Sequence, residues 1–214
     1  MDSSRGLSTL QADLLRAFFA QERRFVLTGG GALVGFHLRH RTSEDLDLFA
    51  KPPVSLDDGY HALAAAASGL GATIEVQRRY PEFQRVIVRR NQESAVVDLV
   101  IDRAPDVDQP VDVEHGIRLH SLREIAANKV CALLGRAEIR DLIDLRAILM
   151  TGADLRGVLA DAERKDRGVS AATLAWLLDG VRIPDSAQLP GVAAAELDAF
   201  RIDLVRQLRR IGVP

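Results

Sequence analysis

The run Phe25-Val26-Leu27-Thr28-Gly29-Gly30-Gly31 constrains this chain most, because a short apolar stretch that empties into glycines reads as a strand ending in a tight turn. Ala32, Leu33, Phe36 and Leu38 then suit a short helix packed on a sheet, and Leu46-Asp47-Leu48-Phe49 suits a second strand. The order is strand, glycine turn, helix, strand. The two-residue period of a strand places Asp45 and Asp47 on one face and Leu46 and Leu48 on the other. Taken alone, an Asp-Leu-Asp triplet favours a solvated edge strand. The glycine turn shifts that balance: closely spaced glycines let backbone N–H groups approach phosphate oxygens, and the following helix presents its positive end to them. Magnesium takes oxygen ligands, commonly one or two carboxylates together with substrate phosphates. A phosphate-holding turn joined by one helix to a metal-holding carboxylate pair makes a nucleotide site, with the Ser43 hydroxyl as a further phosphate contact. Its spacing matches neither the Walker nor the Rossmann pattern.

Around this block the first half of the chain reads as α/β. Leu7, Leu10, Leu14 and Phe18 repeat at helical spacing, a helix is expected from about Leu56 to Ser68, and strands over 73–77, 83–88 and 95–101. After a loop at 104–110 the pattern turns helical, with helices at about 121–134, 138–150, 154–164, 170–179 and 192–210. Ser121 and Glu124 have the spacing of a capping box. The expected division is a core over 1–115, built on a short mixed sheet, and a helical region over 116–214 that completes the nucleotide pocket. Met1-Asp2-Ser3-Ser4 lacks the basic and apolar pattern of a leader, and no stretch approaches the roughly 20 apolar residues that span a bilayer, so a cytoplasmic protein without a membrane partner is expected.

A third carboxylate lies in Val96-Val97-Asp98-Leu99-Val100-Ile101-Asp102, where Val97, Leu99 and Ile101 share the apolar face. Asp98 sits mid-strand and needs a partner; a cation shared with Asp45 and Asp47 is an economical one. Asp102 reads as a solvated strand end. Further on, Lys129, Leu133 and Arg136 form a stripe facing the acidic step Asp141 and Asp144. Lys129 would meet a triphosphate as a point charge, oriented by those carboxylates; the plain alternative is an ion-pair network between two packed helices. Histidines 37, 40, 61, 115 and 120 have no zinc spacing, and no serine lies in a nucleophile elbow. Cys131 and Trp176 read as core residues. The net charge of −2 gives no global attraction for polyanions, which leaves local clusters: Arg78, Arg79, Arg85, Arg89 and Arg90, and Arg201, Arg206, Arg209 and Arg210 on the last helix.

The blocks Leu27-Thr28-Gly29-Gly30-Gly31-Ala32-Leu33, Arg41-Thr42-Ser43-Glu44-Asp45-Leu46-Asp47-Leu48-Phe49, Lys129-Val130-Cys131-Ala132-Leu133-Leu134-Gly135-Arg136 and Arg140-Asp141-Leu142-Ile143-Asp144-Leu145 together resemble the AbiEii/AbiGii toxin family. That family belongs to the polymerase β-like nucleotidyltransferases. The resemblance covers about residues 25–149. It implies a metal-dependent nucleotidyltransferase in which Asp45, Asp47 and Asp98 bind two magnesium ions. Gly29, Gly30 and Ser43 would contact the phosphates of a nucleoside triphosphate. Lys129 with Asp141 would complete the pocket, and Arg136 and Asp144 stand beside them. It further implies an acceptor hydroxyl on RNA, specifically the tRNA 3′ end, and a role as the toxin of a toxin–antitoxin pair. Two other readings remain open: a protein or small-molecule acceptor, and a nucleotide-binding module without turnover.

Overall fold

The computed structural model describes residues 6–212, so the Met1–Ser4 segment lies outside it. The elements in chain order are α1 (Thr9–Phe19), β1 (Val26–Thr28), α2 (Gly29–Ala32) continuing as a π turn (Leu33–His37), β2 (Asp45–Ala50), α3 (Leu56–Gly69), β3 (Thr73–Tyr80), β4 (Phe83–Arg90), β5 (Glu93–Ile101), β6 (Val111–Asp112), a 3₁₀ turn (Glu114–Gly116), β7 (Arg118–Leu119), α4 (Leu122–Arg136), α5 (Ile139–Leu149), α6 (Leu155–Lys165), α7 (Ala171–Gly180) and α8 (Ala194–Ile211). The fold is mixed α/β, with one seven-stranded sheet in the order β3-β4-β5-β2-β1-β7-β6. The sequence reading anticipated five of these strands. The short β6 and β7 have two residues each, too few to show any alternation. Among the described residues no helix is long and apolar enough to cross a membrane.

The chain divides into two compact units, one of residues 1–103 with 109–121, the other of residues 104–108 with 122–214. In the first, β2 lies centrally, antiparallel to β1 and parallel to β5. Leu46, Leu48, Val97 and Leu99 are each at most 1% exposed and build the core face, while Asp45 and Asp47 alternate to the other. Phe25 packs edge-on against Phe18 of α1. Gly59 of α3 faces the same ring, where a β-carbon would come within 2.5 Å. Ser8 and Gln11 form a capping box that starts α1, and the Gln11 amide donates to the carbonyls of Ser43 (3.1 Å) and Glu44 (3.0 Å). One buried glutamine thus ties α1 to the loop that delivers the acidic strand.

The arginines near β3 and β4 are largely neutralised. Arg79 pairs with Asp57, Arg85 with Asp98, Arg89 with Glu75 and Arg90 with Asp13, so this cluster is not the open basic patch its sequence suggests.

In the helical unit α4 packs on α5 and α6, and α7 on α8. Glu124, expected in a capping box, accepts from the backbone N–H groups of Val107 (2.7 Å) and Asp108 (3.2 Å) and pairs with Lys165, which also donates to the Pro105 carbonyl. Those bonds bind the 104–108 segment to α4 and α6. Cys131 is only half buried, its Sγ 3.6 Å from the Ala162 carbonyl. Trp176, read from sequence as core, is 79% exposed: on α7 the buried positions are Leu174, Ala175 and Leu178, and residue 176 falls on the opposite side.

Candidate active site

The acidic cluster is built by strand register. In the parallel pairing of β2 with β5, Asp47 stands beside Asp98, and in the antiparallel pairing of β1 with β2, Thr28 stands beside Asp47. Asp45, two residues earlier on β2, shares the face of Asp47. Both are half buried, whereas Asp98 is 6% exposed.

The glycine turn closes over this cluster at short range. Gly29 has φ +62, and a β-carbon there would lie 2.0 Å from Asp47 Oδ2. No side chain fits, and the bare backbone lies against the carboxylate. A β-carbon on Gly30 would come within 2.9 Å of both Arg41 Nη2 and Ser43 Oγ, and one on Gly31 within 3.1 Å of the Asp45 carbonyl. Gly29, Gly30, Ser43, Asp45, Asp47 and Asp98 therefore meet in one place. The Ser43 hydroxyl donates to the Asp45 carbonyl at 3.2 Å, fixing the entry to β2. Gly29→Ala must both occupy a left-handed conformation and displace the Asp47 carboxylate. Nucleotidyl transfer is expected to fall about 100-fold, as for a reacting group misplaced by an ångström. Steady-state rates beside a circular-dichroism spectrum check it: wild-type rates in a folded variant would dismiss the cradle.

Sequence reasoning missed Arg85 as part of this site, counting it only among surface arginines. From β4 its Nε and Nη2 donate to Asp98 Oδ1 (2.8 Å) and Oδ2 (2.7 Å), a bidentate pair. The hydrogen bonds to Asp98, followed by the charges of Asp98, Asp45 and Asp47, outweigh partial burial and hold the guanidinium above its ordinary pKa. The mid-strand aspartate thus has a protein partner. Arg41 was likewise overlooked; its Nη1 donates to the Thr42 carbonyl at 2.7 Å.

The set offers only hard oxygen donors, which suit magnesium. Arg85 leaves each Asp98 oxygen a second lone pair, and the absence of a β-carbon at Gly29 leaves room for the Asp47 carboxylate against the turn. The residues fit a divalent cation bound with phosphates.

In the helical unit, Lys129 of α4 donates to Asp141 Oδ1 (2.8 Å) and pairs with Asp144 Oδ2 (2.7 Å) on α5. Arg136 Nε donates to Asp141 Oδ2 at 2.8 Å. Lys129, Asp141 and Asp144 are buried, while Arg136 keeps 55% of its side chain exposed. Burial alone would lower the pKa of Lys129, but the charges of Asp144 and Asp141 more than offset it, and the ammonium titrates above its ordinary value. The expected stripe and acidic step do meet, as a closed ion-pair cluster with one open arginine.

The family model described as nucleotidyl transferase AbiEii toxin, type IV TA system, matches residues 13–210. The chain belongs to the AbiEii family. No functionally curated protein matches this AbiEii chain. Among solved structures it is similar to JHP933 from Helicobacter pylori, at 20% identity and TM-score 0.55 over 96% of each chain. A candidate nucleotidyltransferase from H. pylori gives 18% and 0.54 over 97% of this chain and 100% of that one. The antibiotic-resistance factor ANT(2'')-Ia gives 15% and 0.52 over 76% of this chain and 91% of that one. At such identities these likenesses describe the fold that the AbiEii protein shares with them.

Proposed function

We propose that this AbiEii protein transfers a nucleoside monophosphate from a nucleoside triphosphate to an acceptor hydroxyl on RNA, at the 3′ end of tRNA, as the toxin of a type IV pair with a cognate antitoxin. The observation carrying the transfer chemistry is the side-by-side register of Asp47 and Asp98 under the bare Gly29 backbone. The RNA acceptor follows the resemblance to family members that modify tRNA.

In this reading the acceptor oxygen attacks the α-phosphorus, the bond from that phosphorus to the bridging oxygen breaks, and pyrophosphate leaves. Asp45, Asp47 and Asp98 would hold two magnesium ions. Bound magnesium supplies charge neutralisation at the triphosphate and a lowered pKa for the attacking hydroxyl. Gly29 and Gly30 would donate backbone N–H groups to phosphate oxygens, joined by the Ser43 hydroxyl. Arg85 holds the Asp98 carboxylate in one rotamer and offsets part of the charge of the three aspartates. Lys129 and Arg136 would supply positive charge to the nucleotide, with Asp141 and Asp144 orienting the ammonium. The 1–115 core and the 116–214 helices would each contribute residues to nucleotide binding. Most of the rate then comes from positioning and electrostatics, with no covalent enzyme intermediate.

Incubation with magnesium, each α-labelled nucleoside triphosphate in turn and total tRNA tests this. Label on RNA is expected, together with released pyrophosphate. Label on a protein or small molecule, with RNA bare, would keep the chemistry and refute the acceptor; no label with any acceptor would leave a nucleotide-binding module.

A further inference from the structure

Trp176 is the one tryptophan of the chain, and most of its indole faces solvent from α7. Its neighbours one turn away leave it clear. Ala172 and Thr173 are small, and at Gly180 a β-carbon would meet nothing within 4 Å. Asp179, one turn along the same helix, accepts from Arg209 of α8 at 2.9 Å, so α7 and α8 present Trp176 and Arg209 on one surface. Arg206 lies one turn before Arg209. Arg206 and Arg210 are exposed and, among the described residues, have no carboxylate partner.

A single exposed apolar side chain is ordinary on a protein surface, so the surroundings of the Trp176 ring carry the argument. Among the described residues the other large exposed apolar side chain of this helix pair is Ile202, 38% exposed, so there is no broad apolar patch of the kind that forms the centre of a protein interface. A flat aromatic face on a helix pair that also carries Arg206 and Arg210, which among the described residues lack carboxylate partners, matches instead a base and its flanking phosphates.

We infer that the α7–α8 face carrying Trp176, Arg206 and Arg210 is a docking surface for single-stranded RNA, with the indole stacking on a base and Arg206 and Arg210 taking phosphates. The inference deepens the RNA-acceptor reading and rests on it for its biological role, but it has its own readout.

Because the chain has one tryptophan, its emission reports on this site alone. Titrating a short single-stranded RNA with a free 3′ hydroxyl into the full protein is expected to quench that emission to saturation, more weakly as salt rises. Replacing both Arg206 and Arg210 with glutamine is expected to flatten the salt dependence by about two phosphate contacts. In the labelling assay, Trp176→Ala is expected to raise the KM for RNA about tenfold with the KM for nucleotide unchanged, and Trp176→Phe to restore most of it, since phenylalanine keeps a stacking face. Emission unmoved by RNA, or an unchanged KM in Trp176→Ala, overturns the inference while labelled RNA preserves the acceptor reading. Quenching without any labelled RNA would keep the surface and sink the acceptor reading. Emission that shifts with protein concentration in the absence of RNA would assign the face to a second copy and overturn the inference.

Discussion

Asp47→Asn is expected to abolish nucleotidyl transfer while leaving the fold in place. The substitution keeps the shape beside Gly29, where a β-carbon would lie 2.0 Å from Oδ2, but removes the charge that stands next to Asp98 across the β2–β5 pairing. Loss of a metal-binding carboxylate removes several kcal/mol of transition-state stabilisation, which at about 1.4 kcal/mol per tenfold is three orders of magnitude or more in rate. Asp45→Asn is expected to behave alike. Because neither residue lies in the apolar core, thermal unfolding should change little. Label incorporation measured beside a melting curve decides the matter: a variant that melts like wild type and still transfers within tenfold of it would remove Asp47 from the chemistry.

Lys129→Met should show the opposite signature, a loss of stability larger than any other single change proposed. It removes the cation that pairs with Asp144 (2.7 Å) and shares Asp141 (2.8 Å) with Arg136. Asp144 is fully buried and Asp141 nearly so. Breaking a buried pair from one side costs about 3–5 kcal/mol, because the carboxylates stay behind without compensation. For a chain of this size that corresponds to a fall of about 6–20 °C in Tm. The pH dependence has a definite sign. Lysine in an unfolded chain titrates near about 10.4, and the folded Lys129 titrates higher, so its contribution is fully present below that value and is lost as pH rises through the folded pKa. A double variant, Lys129→Met with Asp144→Asn, should recover part of the loss. A melting temperature within a degree or two of wild type would show that the cluster does not hold α4 to α5.

The acidic cluster was legible because its parts are local: Gly29 and Gly30 in one turn, and Asp45 and Asp47 two residues apart on one strand. The strand periodicity around Asp98 was also enough to mark it as an aspartate that needs a partner. Identifying Arg85 as that partner needed the length of the β4–β5 turn. With strands expected over 83–88 and 95–101 the connection looked long, whereas the strands run to Arg90 and from Glu93, leaving Asn91 (φ +55) and Gln92 between them. A two-residue hairpin fixes register, and counting back from Arg90 opposite Glu93 puts Arg85 opposite Asp98. That signal was present in the sequence. Trp176 was a different case. In Ala171-Ala172-Thr173-Leu174-Ala175-Trp176-Leu177-Leu178 nearly every residue is apolar, so amphipathic periodicity cannot say which side of the helix is buried; packing against α8 decides it. Strands β6 and β7 exist through pairing with each other and with β1, a tertiary contact that two residues cannot announce.

The parallel pairing of β2 with β5 also has a consequence for synthesis. Parallel neighbours cannot be joined by a hairpin, and here the crossover carries all of α3, β3 and β4 before Asp98 can reach Asp47. The acidic trio is therefore a non-local contact, formed late relative to helices and hairpins. A ribosome-bound chain that has emitted the glycine turn and β2 but not β5 holds two of the three carboxylates and lacks Asp98, the partner of Arg85. Under the proposed mechanism, interrupted translation products ending before β5 lack the third carboxylate and are expected not to transfer nucleotide.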